Sequence, residues 1–259
     1  MTQDERRVYL IKYMLAEPGQ YSMVDIPEDA EGQKRLLRAL FNIRRPGPAE
    51  DEFIKIQDEY LQEETRQKGV TDWERLFPIQ DGLYIWKGDI TTLKCDAIVN
   101  AANSAMTGCY APNHGCIDNI IHTYAGIQLR QECADIMEGQ DHLEPTGHAK
   151  LTKAYNLPCK YVIHTVGPIV GSVVTDEDRE LLASCYRSCL EIALMHDVKS
   201  IAFCCISTGE FRFPHKEAAE IAVNTVKEFR ASVDKKTEVI FNVFTEEDRQ
   251  IYEDLLSRK

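Results

Sequence analysis

Cys109, His114 and Cys116 place three candidate metal ligands within eight residues, in the run Gly108-Cys109-Tyr110-Ala111-Pro112-Asn113-His114-Gly115-Cys116. Two thiolates and one imidazole suit a tetrahedral, borderline-soft ion, which favours Zn2+ over copper or iron. A closed structural zinc site takes four protein ligands, whereas three leave a position for water or substrate. Ile117, Asp118 and Asn119 follow directly, and Asn103 lies just upstream, so a carboxylate and an amide accompany the metal loop. Each also has an ordinary reading. Two core thiols and a surface histidine would explain the trio, Asp118 could simply cap a helix, and Asn103 could close a turn.

These side chains need a scaffold, and the sequence suggests one in two parts. Residues 1–80 read as a helical extension. Val8, Ile11, Met14 and Leu15 recur at helical spacing, as do Leu36, Leu37, Leu40 and Phe41. A third helix follows the breaker Arg45-Pro46-Gly47-Pro48, with Glu50, Asp51 and Glu52 at its positive end. Residues 81–259 alternate strands with helices. Strands are expected at 83–86, 97–99, 161–166, 201–206 and 239–244, with helices from Asp118 to about Met137, Asp176 to His196, near Lys216, and near Glu246. Near-continuous apolar strands between amphipathic helices imply an α/β class with three α/β/α layers.

Composition limits the possibilities. The chain has 259 residues, is 44% hydrophobic and 28% charged, and carries a net charge of −12. No polybasic stripe exists for a nucleic-acid backbone, and no apolar run is long enough to span a bilayer. The charged N-terminus lacks a signal-peptide core, so a cytoplasmic location with reduced thiols is expected. Of nine cysteines, seven (Cys95, Cys133, Cys159, Cys185, Cys189, Cys204 and Cys205) have no histidine at ligand spacing and read as small buried apolar residues. His122 and His164 read as structural.

In open α/β sheets ligands bind outside the carboxyl ends of strands. Three polar segments follow apolar runs there: Gly88-Asp89-Ile90-Thr91, Asn100-Ala101-Ala102-Asn103 and Ser207-Thr208-Gly209. Together with Pro145-Thr146-Gly147 and Tyr161-Val162-Ile163-His164-Thr165-Val166-Gly167-Pro168, they resemble the macrodomain family, whose members bind ADP-ribose. The resemblance spans about residues 82–258 and implies a central mixed sheet. The longer loop with its Cys-His-Cys trio, and the helical extension, resemble the zinc-containing bacterial and fungal subgroup often encoded beside a sirtuin-type ADP-ribosyltransferase.

The resemblance also implies roles. Asp89, with Ile90 alongside, would hold the adenine. Asn103 and Asp118, beside Ile117 and Asn119, would hold the distal ribose and perform catalysis. Ser207, Thr208, Gly209, Glu210 and Phe211 would form the second phosphate loop. Arg212 departs from the small residue usual in zinc-free relatives and could clamp a phosphate. The implied activity is zinc-dependent removal of mono-ADP-ribose from protein side chains, through an Asp or Glu ester. ADP-ribose and a mono-ADP-ribosylated protein are the implied partners, and a lipoyl-carrier protein modified by a sirtuin-type transferase is one candidate for the latter. A non-catalytic ADP-ribose reader and an O-acetyl-ADP-ribose deacetylase remain open as alternatives.

Overall fold

A computed structural model describes residues 1–17 and 24–257. Three helices come first: α1 (Gln3–Ala16), α2 (Ala30–Ile43) and α3 (Asp51–Lys68). Thr2 and Glu5 close a capping box on α1, and the Asp29 carboxylate accepts the Gly32 N–H at the start of α2. Their apolar faces meet in a cluster of their own, built on Leu10, Ile11, Leu37, Leu40, Phe53, Tyr60 and Leu61.

Beyond it lie β1 (Thr71–Asp72), β2 (Leu83–Lys87), β3 (Leu93–Lys94), β4 (Ala97–Ala102), α4 (Ile117–Ala125), α5 (Ile127–Gln140), β5 (Ala149–Lys153), β6 (Tyr161–Val166), α6 (Asp176–Met195), β7 (Ser200–Phe203), α7 (His215–Ser232), β8 (Glu238–Val243) and α8 (Glu246–Ser257). The main sheet runs β2-β8-β7-β4-β6-β5, with every pair parallel except β5 against β6. It is the mixed α/β sheet expected. In β6 the residues from Val162 to Val166 are all buried, as in a strand covered on both faces. Helix α4 packs on β4 and α5 on β5, while α6, α7 and α8 pack successively on one another.

Several features differ from the sequence expectations: β1 and β3 form an unforeseen parallel ladder, and β7 ends at Phe203 rather than at residue 206. The helix foreseen from Asp118 to Met137 is two helices, because Gly126 adopts φ +96, which a side chain rarely tolerates. A Cβ there would also sit 2.7 Å from the Gln57 amide nitrogen. Strand β5 is additional: a short edge strand with lysines at Lys150 and Lys153 carries little apolar signal.

The three N-terminal helices are tied to the sheet domain by mutual capping. Buried Gln57 of α3 accepts the Ile127 N–H at 2.9 Å, at the first turn of α5. In return Arg130 of α5 donates to the carbonyls of Phe41, Asn42 and Arg44 at 2.9, 2.8 and 2.6 Å, where α2 runs out of its own donors. All three start from one guanidinium nitrogen with two hydrogens and so share them, and together they contribute about 1.5–3 kcal/mol.

Candidate active site

Strands β2, β4 and β7 share one direction, so the loops leaving their carboxyl ends gather at one margin of the sheet. After β2, the Asp89 carboxylate caps a short turn, accepting the Thr91 N–H at 3.0 Å and its hydroxyl at 2.6 Å. Its other oxygen accepts from the Lys68 ammonium at 2.9 Å. Burial raises the Asp89 pKa, but the Thr91 hydroxyl and the Lys68 ammonium together outweigh it and hold the carboxyl below its ordinary range.

After β4, Asn103 closes a turn by accepting the Ala105 N–H at 3.0 Å, and its amide nitrogen stays free for two further acceptors. It donates to the Gly108 carbonyl at 3.1 Å and to Asp118 Oδ2 at 3.0 Å. Asn100, inside β4, donates to Asp118 Oδ1 at 2.8 Å. Asp118 is the second residue of α4, buried, and bonded to neither backbone group of its own helix start. Its position therefore comes from two amides on β4 and its loop, and Cys116 occupies the cap position without a side-chain bond. Burial pushes the Asp118 carboxyl up to about 6 against the opposing pull of Asn100 and Asn103. Such a carboxyl suits proton transfer near neutral pH.

Cys109, His114 and Cys116 converge, with their ligand atoms all within 4.8 Å of one another. Zinc bonds of about 2.3 Å to sulfur and about 2.0 Å to nitrogen at a tetrahedral angle separate the two ligands by about 3.5 Å. The observed Cys109 Sγ to His114 Nδ1 distance is 3.6 Å. The other ring nitrogen, His114 Nε2, lies 3.5 Å from Glu210 Oε1. A carboxylate behind the second nitrogen is the usual support of a metal-ligating histidine. Burial pushes the Cys116 thiol up to about 12, and neighbouring Cys109 adds to it, so a thiolate pair here calls for a cation. The donor set fits zinc. Among the described residues no fourth side chain joins this group.

After β7, Ser207 to Phe213 form a tight turn. Ser207 and Arg212 both take left-handed backbone (φ +64 and +58), the Arg212 N–H donates to the Gly209 carbonyl at 3.0 Å, and the Phe213 N–H donates to the Ser207 carbonyl at 2.9 Å. The Phe211 carbonyl accepts from Val170 N–H at 2.9 Å, which ties the turn to the segment after β6.

Comparisons place this arrangement among known proteins. The macro domain family matches residues 99–222. A protein-ADP-ribose hydrolase of Treponema medium is 57% identical, spanning 99% of this chain and 100% of its own length. The chain belongs to the macro domain family. A protein-ADP-ribose hydrolase of Staphylococcus aureus (strain MSSA476) is 48% identical over 98% of this chain and 96% of its own. The crystal structure of the Trypanosoma brucei macrodomain in complex with ADP-ribose is 31% identical, with TM-score 0.65, covering 85% of this chain and 94% of that one.

Within this macrodomain the sequence-selected residues fall into three groups. Asn103, Asp118 and the Cys-His-Cys trio come together on one loop and one helix start. Asp89 and Ile90 stand after β2, and Ser207, Thr208, Gly209 and Phe211 on the turn after β7. Glu210 leans onto His114, and Asn119 turns its amide nitrogen to the Ala111 carbonyl at 2.9 Å, so Asn119 braces the Cys109–Cys116 loop from within.

Asn100 gives no local signal as a partner of Asp118, because it is an asparagine inside an apolar strand. Register decides it: Asn100 stands opposite His164 on β6, and its amide nitrogen is 3.1 Å from His164 Nδ1. His164 Nε2 is 2.9 Å from the Thr152 hydroxyl, so His164 is the satisfied core histidine expected. Cys133, read as lacking a histidine at ligand spacing, gathers in space with His122 and His164. Burial holds both imidazoles below their ordinary range, His164 at about 3. Of the seven cysteines expected in the core, six are buried and Cys205 is partly so.

Among the described residues no helix is long and apolar enough to cross a membrane.

Proposed function

We propose that this chain is a zinc-dependent protein-ADP-ribose hydrolase that releases mono-ADP-ribose from modified side chains, with an Asp or Glu ester as the linkage. The observation that carries the reading is the buried Asp118 carboxylate, held by Asn100 and Asn103 at 2.8 and 3.0 Å, beside a three-ligand Cys-His-Cys loop. Relatives that match nearly the whole chain carry the name protein-ADP-ribose hydrolase, which supports the same class of substrate.

In this reading Asp89 takes the adenine amino group, and backbone N–H groups of Ser207, Gly209 and Phe211 take the diphosphate together with the start of α4 at Ile117, while Thr208, whose N–H reaches the Cys205 carbonyl at 3.4 Å, shapes the same loop. Asn103 orients the distal ribose. Asp118, charged at neutral pH and held by two donors, accepts the proton of the attacking water as the carbon–oxygen bond at the anomeric centre breaks. Zinc, when bound by Cys109, His114 and Cys116, supplies a Lewis acid for a ribose or substrate oxygen. Two thiolates cancel its charge and moderate that effect. The same proposal divides the chain into a helical extension, residues 1–80, and a macrodomain, residues 81–259, and makes the partner a mono-ADP-ribosylated protein, with a lipoyl-carrier protein as one candidate.

Free ADP-ribose release from an automodified protein substrate tests the activity. Tight ADP-ribose binding with no release would make the chain a reader instead, and faster turnover of O-acetyl-ADP-ribose in competition would make it a deacetylase.

A further inference from the structure

The helices before the sheet touch the metal loop at several points, and these contacts are specific rather than merely apolar. Arg38, on α2, donates from one guanidinium nitrogen to the His114 carbonyl at 2.7 Å and to Asn119 Oδ1 at 3.1 Å. One turn further along α2, Asn42 is fully buried. Its side-chain oxygen Oδ1 accepts the Asn113 N–H at 2.9 Å, and its amide nitrogen Nδ2 donates to the Thr123 hydroxyl at 2.9 Å. Asn113 takes left-handed backbone, φ +56, in the residue before His114. The Tyr110 ring, next to Cys109, is covered by the guanidinium groups of Arg45 and Arg130, each 4.5 Å from its centroid. The loop from Cys109 to Cys116 is therefore held at Asn113 and His114 by Asn42 and Arg38, and at Tyr110 in part by Arg45, all three outside the residues matched by the family, 99–222.

We propose that α2 is a clamp that sets the geometry of the metal loop, with Arg38 as its positioning residue. This rests on the zinc reading above. The His114 imidazole and the carbonyl that Arg38 grips belong to one residue, so fixing that carbonyl limits where the ring can stand. Asn119 connects the same guanidinium to the Ala111 carbonyl at the middle of the loop. Arg38 touches none of the ligating atoms and so acts through the residues that bear them. Residues that orient metal ligands from behind are commonly worth 10–100-fold in metal affinity, roughly the range expected here. A helical unit with its own apolar cluster thus has a task in the site besides packing.

The test uses the full chain loaded with Zn2+ and a chromophoric chelator as competitor, reading zinc retention. Arg38→Ala is expected to hold zinc about 10-fold less tightly, and Arg38→Lys, which keeps the charge without the fork, to fall between it and wild type. Arg6→Ala, which breaks an α1–α3 ion pair far from the loop, is expected to match wild type. Should Arg38→Ala fail to fold, Arg38→Lys and Asn42→Ser carry the comparison. Zinc retention in folded Arg38 variants equal to wild type overturns the clamp. Wild-type protein that takes up no zinc overturns the metal reading itself, so the two failures are distinct.

Discussion

Asn103 and Asp118, fifteen residues apart, are joined by a 3.0 Å bond from amide nitrogen to carboxylate oxygen. The turn that Asn103 closes with its own oxygen fixes the rotamer, so the same side chain both shapes the loop and aims a donor at the carboxylate. Asn100 aims a second donor from the strand. The hydrogen bonds that orient the carboxylate thus come from β4 and the loop after it, with His122 of its own helix 3.5 Å away.

Removing that carboxylate should separate binding from turnover. Asp118→Ala is expected to lower kcat for ADP-ribose release about 10²–10⁴-fold, the range for a lost general base, while ADP-ribose affinity stays within a few-fold of wild type. Single-turnover release beside calorimetry measures both. Equal kcat in the variant would remove Asp118 from the reaction.

The Cys109–Cys116 loop makes its own demand. His114→Ala is expected to leave the purified protein short of one zinc per chain and to lower activity, and a strong chelator should do the same to wild type. Elemental analysis with an activity assay reads both. Full activity surviving the substitution and the chelator together would end the zinc mechanism.

His164 gives a pH signature of stability. Its folded pKa is depressed to about 3, against about 6.5 in an unfolded chain. Between those values the unfolded state binds the proton and the folded state does not, so this contribution is complete at neutral pH and is lost as pH falls below about 6.5. His164→Gln should flatten the loss by up to about 1.4 kcal/mol per pH unit between roughly pH 6 and pH 4. Denaturant titrations of the two proteins across that window make the comparison. Parallel curves would mean that the imidazole is not buried neutral.

Gly126 should resist substitution. At φ +96, with Gln57 Nε2 at 2.7 Å from a would-be Cβ, Gly126→Ala is expected to cost about 1–3 kcal/mol. A lower denaturant midpoint with unchanged slope would be the result, and an unchanged midpoint would show that the α4–α5 joint has slack.

Much of this was readable in the chain, for identifiable reasons. The Cys109-His114-Cys116 spacing is local, and so is the step from apolar strand to polar loop that marks Asp89, Asn103 and Ser207. What escaped reading was non-local. Asn100 acquires meaning only from the register that puts it opposite His164. Arg38 reaches His114 across 76 residues, and no pattern within α2 distinguishes it from any other helical arginine. Helix periodicity continued through Gly126, because an apolar repeat does not register a backbone angle. Ordinary readings also failed in part: Asp118 sits at a helix start, yet its bonds go to β4 and the loop after it.

The margin formed by β5 has a consequence for self-association. An outermost strand offers unpaired backbone groups to any passing chain. This one is five residues long and places Lys150 and Lys153 along that fringe, Lys150 tethered to buried Glu144 at 2.9 Å. A second copy seeking to extend the sheet would meet ammonium groups and would have to strip an ion pair, so edge-to-edge growth into aggregates is discouraged on that side.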